Sequence, residues 1–164
     1  MKRTDISGER QAQQRVGTTT RAAAFYANQT LDHLNRSMQQ FIARQEMVVI
    51  ATADAKGACD SSFRAGARGF VTVLDEKTLV YPEYRGNGVL ASLGNIMENP
   101  HIGMLFLDYY LTTMGLHVNG QAHVLTPVEI EGIDLQRLVQ KILRLGEIPG
   151  VKIDLPERLQ RLEM

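Results

Sequence analysis

Tryptophan is missing from this 164-residue chain, and there is a single cysteine, Cys59. One thiol cannot close an intrachain disulfide, which excludes a disulfide-stapled scaffold and fits a reducing, cytoplasmic compartment. Net charge is also lacking: 18 basic side chains balance 18 acidic ones, so the composition points to neither nucleic acid nor an anionic membrane surface as partner. No apolar run approaches the roughly 20 residues of a membrane span, and the first residues, MKRTDISGERQAQQRVG, contain no apolar core of a signal peptide. What remains is an ordinary soluble composition, 44% hydrophobic and 22% charged, long enough for one domain with a sizeable core.

The chain divides by pattern. Residues 1–24 are polar and Gln-rich and are expected to form an arm. Leu31, Leu34, Met38, Phe41 and Ile42 make one apolar stripe, which predicts an amphipathic helix from about Thr30 to Arg44. Short runs rich in β-branched residues follow and predict strands over Met47–Ala51, Cys59–Ala65, Phe70–Leu74 and Thr78–Tyr81. A short helix is expected over Val89–Glu98, with Leu90, Leu93, Ile96 and Met97 turned inward and Asn99-Pro100 as its stop. Further strands are expected over His101–Asp108 and Leu116–Leu125. Strands this closely spaced predict a mainly β fold, a small barrel or sandwich with flanking helices occupying residues 25–126. Residues 127–164 open on Thr126-Pro127-Val128-Glu129, a capping-box pattern, and are expected to be helical and packed on the barrel, with a second short helix over Pro156–Leu162.

One cluster is dense enough in functional side chains to carry chemistry. Arg64, Arg68 and Arg85 lie near glycines that let backbone N–H groups approach an anion. Ser92 and Asn95 fall in the first turns of the short helix, whose positive end favours phosphate. A phosphate monoester is the ligand such a set could take. Nucleotide fingerprints are not present, since GARG and RGNG match neither G-x-G-x-x-G nor the P-loop. Ser61 and Ser62 lack a nucleophile elbow. His117 and His123 have no third ligand at metal spacing, and Cys59 reads as a small buried residue.

Three ordered segments, DSSFRAGARGFVTVLDEKTLVYPEYRGNG, SLGNIMENPHIGMLF and GLHVNGQAHV, carry a resemblance. Over about residues 25–125 the chain resembles bacterial flavin-nucleotide-binding proteins related to pyridoxamine 5′-phosphate oxidase. The resemblance implies an FMN-binding split β-barrel that works as a homodimer, with the flavin at the subunit interface. It also implies flavin contacts on Gly69, Phe70 and Val71, on the loop Pro82, Glu83, Tyr84, Arg85 and Asn87, and on Ser92 and Leu93, beside the Arg64 already singled out. The oxidase proper has a lysine at about Ser92 and basic residues near Met114–His117, and its substrate-gripping C-terminal segment has no counterpart here. Those departures argue against pyridoxamine phosphate as substrate. The expectation is an FMN-dependent oxidoreductase that passes electrons between a small-molecule donor and acceptor, with Tyr109, Tyr110 and His117 near the ring. The alternative is a flavin-binding or dimeric scaffold protein without turnover, and a relative using deazaflavin or haem is a third option.

Overall fold

The computed structural model describes residues 7–125, 150–154 and 159–163. Its centre is an antiparallel sheet built from short strands whose apolar positions alternate. In chain order the strands are β1 (Thr30–Leu31), β2 (Met47–Ala53), β3 (Cys59–Ala65), β4 (Thr72–Val73), β5 (Thr78–Pro82), β6 (His101–Leu107), β7 (Met114–Leu125), β8 (Gly150–Asp154) and β9 (Leu159–Glu163). The helices are α1 (Ser7–Arg15), α2 (Thr19–Gln29), α3 (Arg36–Ile42) and α4 (Ala91–Glu98). The sheet runs β3-β2-β6-β7-β8-β5-β4, and β9 pairs with both β7 and β1. This mainly β fold with flanking helices is the one the sequence predicts.

Alternation gives the sheet two unlike faces. On one, Val48 and Ile50 of β2, Met104 and Phe106 of β6, and Leu116 and Val118 of β7 are buried, with Leu79 and Tyr81 of β5 and α3 packed over them. Each such large side chain stabilises the fold by about 1.5–3 kcal/mol through removal from water. On the other, Phe63, Val49, Leu105 and His117 lie directly opposite one another across β3, β2, β6 and β7 and form a continuous row. Phe63 in that row is 66% exposed, and among the described residues β3 is an edge strand that pairs only with β2.

The expected helix from Thr30 to Arg44 is shorter in the structure. Asn35 caps α3, its side-chain oxygen accepting from the Met38 N–H at 3.0 Å, and Met38, Phe41 and Ile42 are the buried positions. Thr30 and Leu31 instead pair with Gln160 and Leu159, so a partner distant in sequence overrides the local helical pattern. The polar arm expected before residue 25 contains α1 and most of α2, joined by a hydrogen bond from the Gln13 amide to the Tyr26 hydroxyl. No residue of α2 is buried, which is why no apolar stripe announced it.

The strand expected over Phe70–Leu74 shrinks to Thr72–Val73, because Phe70 N–H turns back to the Ala67 carbonyl at 2.9 Å. Gly66 makes that turn possible: a Cβ there would meet the Phe70 Cβ at 2.7 Å. In place of the helix expected over Pro156–Leu162, Leu159–Glu163 is a strand completing the edge of β7. The helix expected after Thr126 falls on residues 126–149, outside the described residues. Cys59 is exposed, since the alternation of β3 turns it to the open side. Met97 is likewise 76% exposed, and Leu90 lies outside α4.

Candidate functional site

Three polar residues alternate along β3: Asp60, Ser62 and Arg64. Period two places them on one face of the strand, where each is partly buried. Glu83 follows the last residue of β5 and is 5% exposed. Its carboxylate takes two bonds from Arg64, 2.9 Å from Nε and 2.8 Å from Nη2, a bidentate pair largely out of water. Arg64 Nη1 also donates to the Ser62 hydroxyl at 2.9 Å and to the Phe63 carbonyl at 3.1 Å.

From Ser62 the bonding continues into α4. The Ser62 and Ser92 hydroxyls are 3.0 Å apart, and Ser92 donates to Asp60 Oδ2 at 2.9 Å. Each hydroxyl has one proton to give. With Ser92 giving its proton to Asp60, Ser62 must give its own to Ser92 while accepting from Arg64. The chain thus has one direction, from the guanidinium to the Asp60 carboxylate. Asn95 adds a second tie, donating to the Thr52 hydroxyl of β2 at 3.1 Å.

Tyr81 shares the Glu83 side of β5. It is fully buried, and its hydroxyl has no hydrogen-bond partner among the described residues. Burial pushes its phenol well above the usual range, the Glu83 carboxylate adds to the rise, and Arg64 opposes it.

Between Glu83 and Ser92 runs a loop of different character. Gly86, Gly88 and Leu90 all have positive φ, at 50°, 81° and 54°. A left-handed leucine costs roughly 1–2 kcal/mol, so the surrounding structure must impose this bend. Asn87 accepts from the Val89 N–H at 3.0 Å and Gly88 donates to the Arg85 carbonyl at 2.9 Å, which closes the turn on itself. Leu90 stands at the N-cap of α4 and supplies no side-chain cap. Among the described residues the N–H groups of Ala91, Ser92 and Leu93 in the first turn of α4 have no acceptor. Arg85 is exposed and forms no ion pair with the described residues.

The residues expected to bind phosphate together differ in what they contact. Arg64 and Ser92 belong to the internal chain. Arg68 is an exposed partner of Glu46 at 3.1 Å, and Asn95 is turned to Thr52. Phe70 and Val71 are buried in the core, and Gly69 before them and Pro82 at the end of β5 are buried too, so only backbone of these residues could face a ligand. Leu93 packs against the core, and Tyr84 is half-buried. Glu83 as the partner of Arg64 was not foreseen, because the pairing needs β3 and the end of β5 to be neighbours in space. Asp60 was also missed, though the polar-x-polar-x-Arg alternation of β3 was a readable signal. Tyr109 and Tyr110 sit exposed in the turn between β6 and β7, whose Asp108 carboxylate accepts from the Tyr110 and Leu111 N–H groups.

An antiparallel sheet with Phe63 exposed on its outer face, and a glycine-rich loop feeding a short helix, fit a split-barrel protein. A model of the pyridoxamine 5′-phosphate oxidase family matches residues 34–150, and the chain belongs to that family. Among solved structures it is similar to HupZ of Group A Streptococcus, at 26% identity over 79% of this chain and 94% of that one, with a TM-score of 0.59. A Lactobacillus delbrueckii protein, provisionally assigned as a pyridoxamine 5′-phosphate oxidase, is 20% identical over 79% of this chain and 98% of its own, with a TM-score of 0.55. HutZ, the heme storage protein from Vibrio cholerae, is 12% identical over 78% of this chain and 94% of its own, at a TM-score of 0.53, and shares the fold. None of the curated proteins compared with the chain matches it.

The family implies FMN, and the two arginine environments differ in how they suit its phosphate. The Arg64 guanidinium and the Ser92 hydroxyl are already engaged, so that part of the expected set does not fit. Arg85, with the uncapped first turn of α4 a few residues on, does fit: an exposed cation and free N–H groups are what a phosphate monoester requires.

Proposed function

We propose that the protein is an FMN-binding flavoprotein, a cytoplasmic homodimer that passes electrons between a small-molecule donor and acceptor. The observation that carries this reading is the loop from Arg85 to Leu90, with its exposed arginine, turning into an uncapped helix. Arg85 and the first-turn N–H groups of α4 would hold the phosphate, and the bound flavin would supply reversible electron transfer. The row Phe63, Val49, Leu105 and His117, half-buried apart from the exposed Phe63, supports the dimer, since an apolar sheet face of this kind is normally covered. His117 in that row is half-buried, and desolvation holds its imidazole below the usual value, so it is neutral at pH 7 and available to accept a proton.

The test is the absorbance spectrum of protein purified with added FMN, followed by titration and by release on denaturation. Non-covalent flavin that leaves on unfolding is the expected result. A Soret band in place of flavin bands, or no binding at all, would overturn the FMN reading. Anaerobic mixing with NADH or NADPH, then oxygen or a quinone, separates an electron carrier from a binding protein without turnover. A monomer in sedimentation at micromolar concentration with flavin bound would remove the shared site.

A further inference from the structure

The carboxylate of Glu83 occupies the position on Arg64 that an incoming phosphate would need. Arg64 turns its Nε/Nη2 fork to Glu83 and its Nη1 donates to Ser62 and the Phe63 carbonyl, so four of its five N–H groups are engaged. Charge opposes a visitor as well. The connected set holds one cation, Arg64, and two carboxylates, Glu83 and Asp60, so it is formally negative before any ligand arrives. The pair is also largely desolvated, with side-chain exposures of 14% and 5%, which makes breaking it costly.

We infer that Glu83 is a resident anion that closes the Arg64 site to phosphate and so determines the ligand specificity of this corner of the fold. The device is built from both sides of the 84–91 loop. Glu83 is fixed to β3 through Arg64 at the start of the loop, and Ser92 is fixed to β3 through Asp60 at its end. A dianionic group approaching the loop is turned away from the interior and left with Arg85.

Inorganic phosphate is the probe, and the readout is the side-chain N–H resonances of arginine in the full-length ¹⁵N-labelled protein. Arg64→Lys and Arg85→Lys assign the two signals. In the wild-type chain the Arg64 Nε–H is expected to stay in place at phosphate concentrations that move Arg85. In Glu83→Gln, which keeps the shape and removes the charge, Arg64 is expected to shift saturably, with phosphate bound at least about tenfold more tightly there than in the wild type. A saturable Arg64 shift in the wild type overturns the inference, and so does a folded Glu83→Gln protein whose Arg64 ignores phosphate. Should Glu83→Gln fail to fold, the wild-type comparison decides: movement of Arg85 alone supports the closed site, and movement of both arginines refutes it. The probe is phosphate without flavin, so a failure to bind FMN leaves this result standing.

Discussion

Arg64 and Arg85 were equivalent in the sequence, two guanidinium groups beside glycines, and the fold makes them opposites. Arg64 is bound by a carboxylate, a hydroxyl and a carbonyl and is shielded from water, whereas Arg85 stands exposed in a loop that supplies it with no counter-charge among the described residues. The difference arises from alternation and neighbourhood. Arg64 is on the inward-facing half of β3, opposite the end of β5, and Arg85 is past the point where Pro82 ends that strand. An arginine therefore cannot be assigned to a ligand by type and local glycine content alone; what already faces it decides.

Substitution should separate the two sharply. Arg64→Met leaves Glu83 as an unpaired buried carboxylate and should cost about 3–5 kcal/mol in urea unfolding. A loss below about 1 kcal/mol would mean that water already reaches the pair. Arg85→Ala should leave stability within about 0.5 kcal/mol, as befits an exposed loop position, and weaken FMN by about 1.5–3 kcal/mol through loss of a charge-assisted bond. An unchanged affinity would move the phosphate elsewhere.

Tyr81→Phe should raise stability by about 1 kcal/mol, because it removes a buried hydroxyl that has no partner among the described residues. A loss of that size would instead reveal a bond to an ordered water. The smallest effect is expected from pH. His117 is held below its ordinary value of 6.5 by desolvation, so the unfolded chain binds the proton more readily than the folded one. Its contribution is complete above about pH 6.5 and is lost as pH falls below that value towards the folded one. His117→Gln should flatten that slope in thermal unfolding between pH 7 and 5.

Much of the sheet was readable because β2, β3, β5, β6 and β7 show alternating or continuous apolar runs bounded by turn residues, and the expected Cys59–Ala65 coincides with β3. The misreadings share a cause. Thr30–Leu31 and Leu159–Glu163 are strands only because each finds a partner far away in the chain, which local pattern cannot supply. The site was legible as a set of residues and illegible as a set of contacts. Arg64, Glu83 and Ser92 were all singled out, yet their mutual bonding depends on β3, β5 and α4 meeting.

The central claim is that phosphate is bound at Arg85 and excluded at Arg64. Parallel fluorescence titrations with FMN and riboflavin test it most directly, since the two ligands differ only in the phosphate. The wild-type protein should prefer FMN, and Arg85→Ala should narrow this preference by about 1.5–3 kcal/mol while leaving riboflavin binding unchanged. Equal affinities for both ligands in the wild type, or a preference that survives undiminished in Arg85→Ala and vanishes in a folded Arg64→Lys variant, would contradict it.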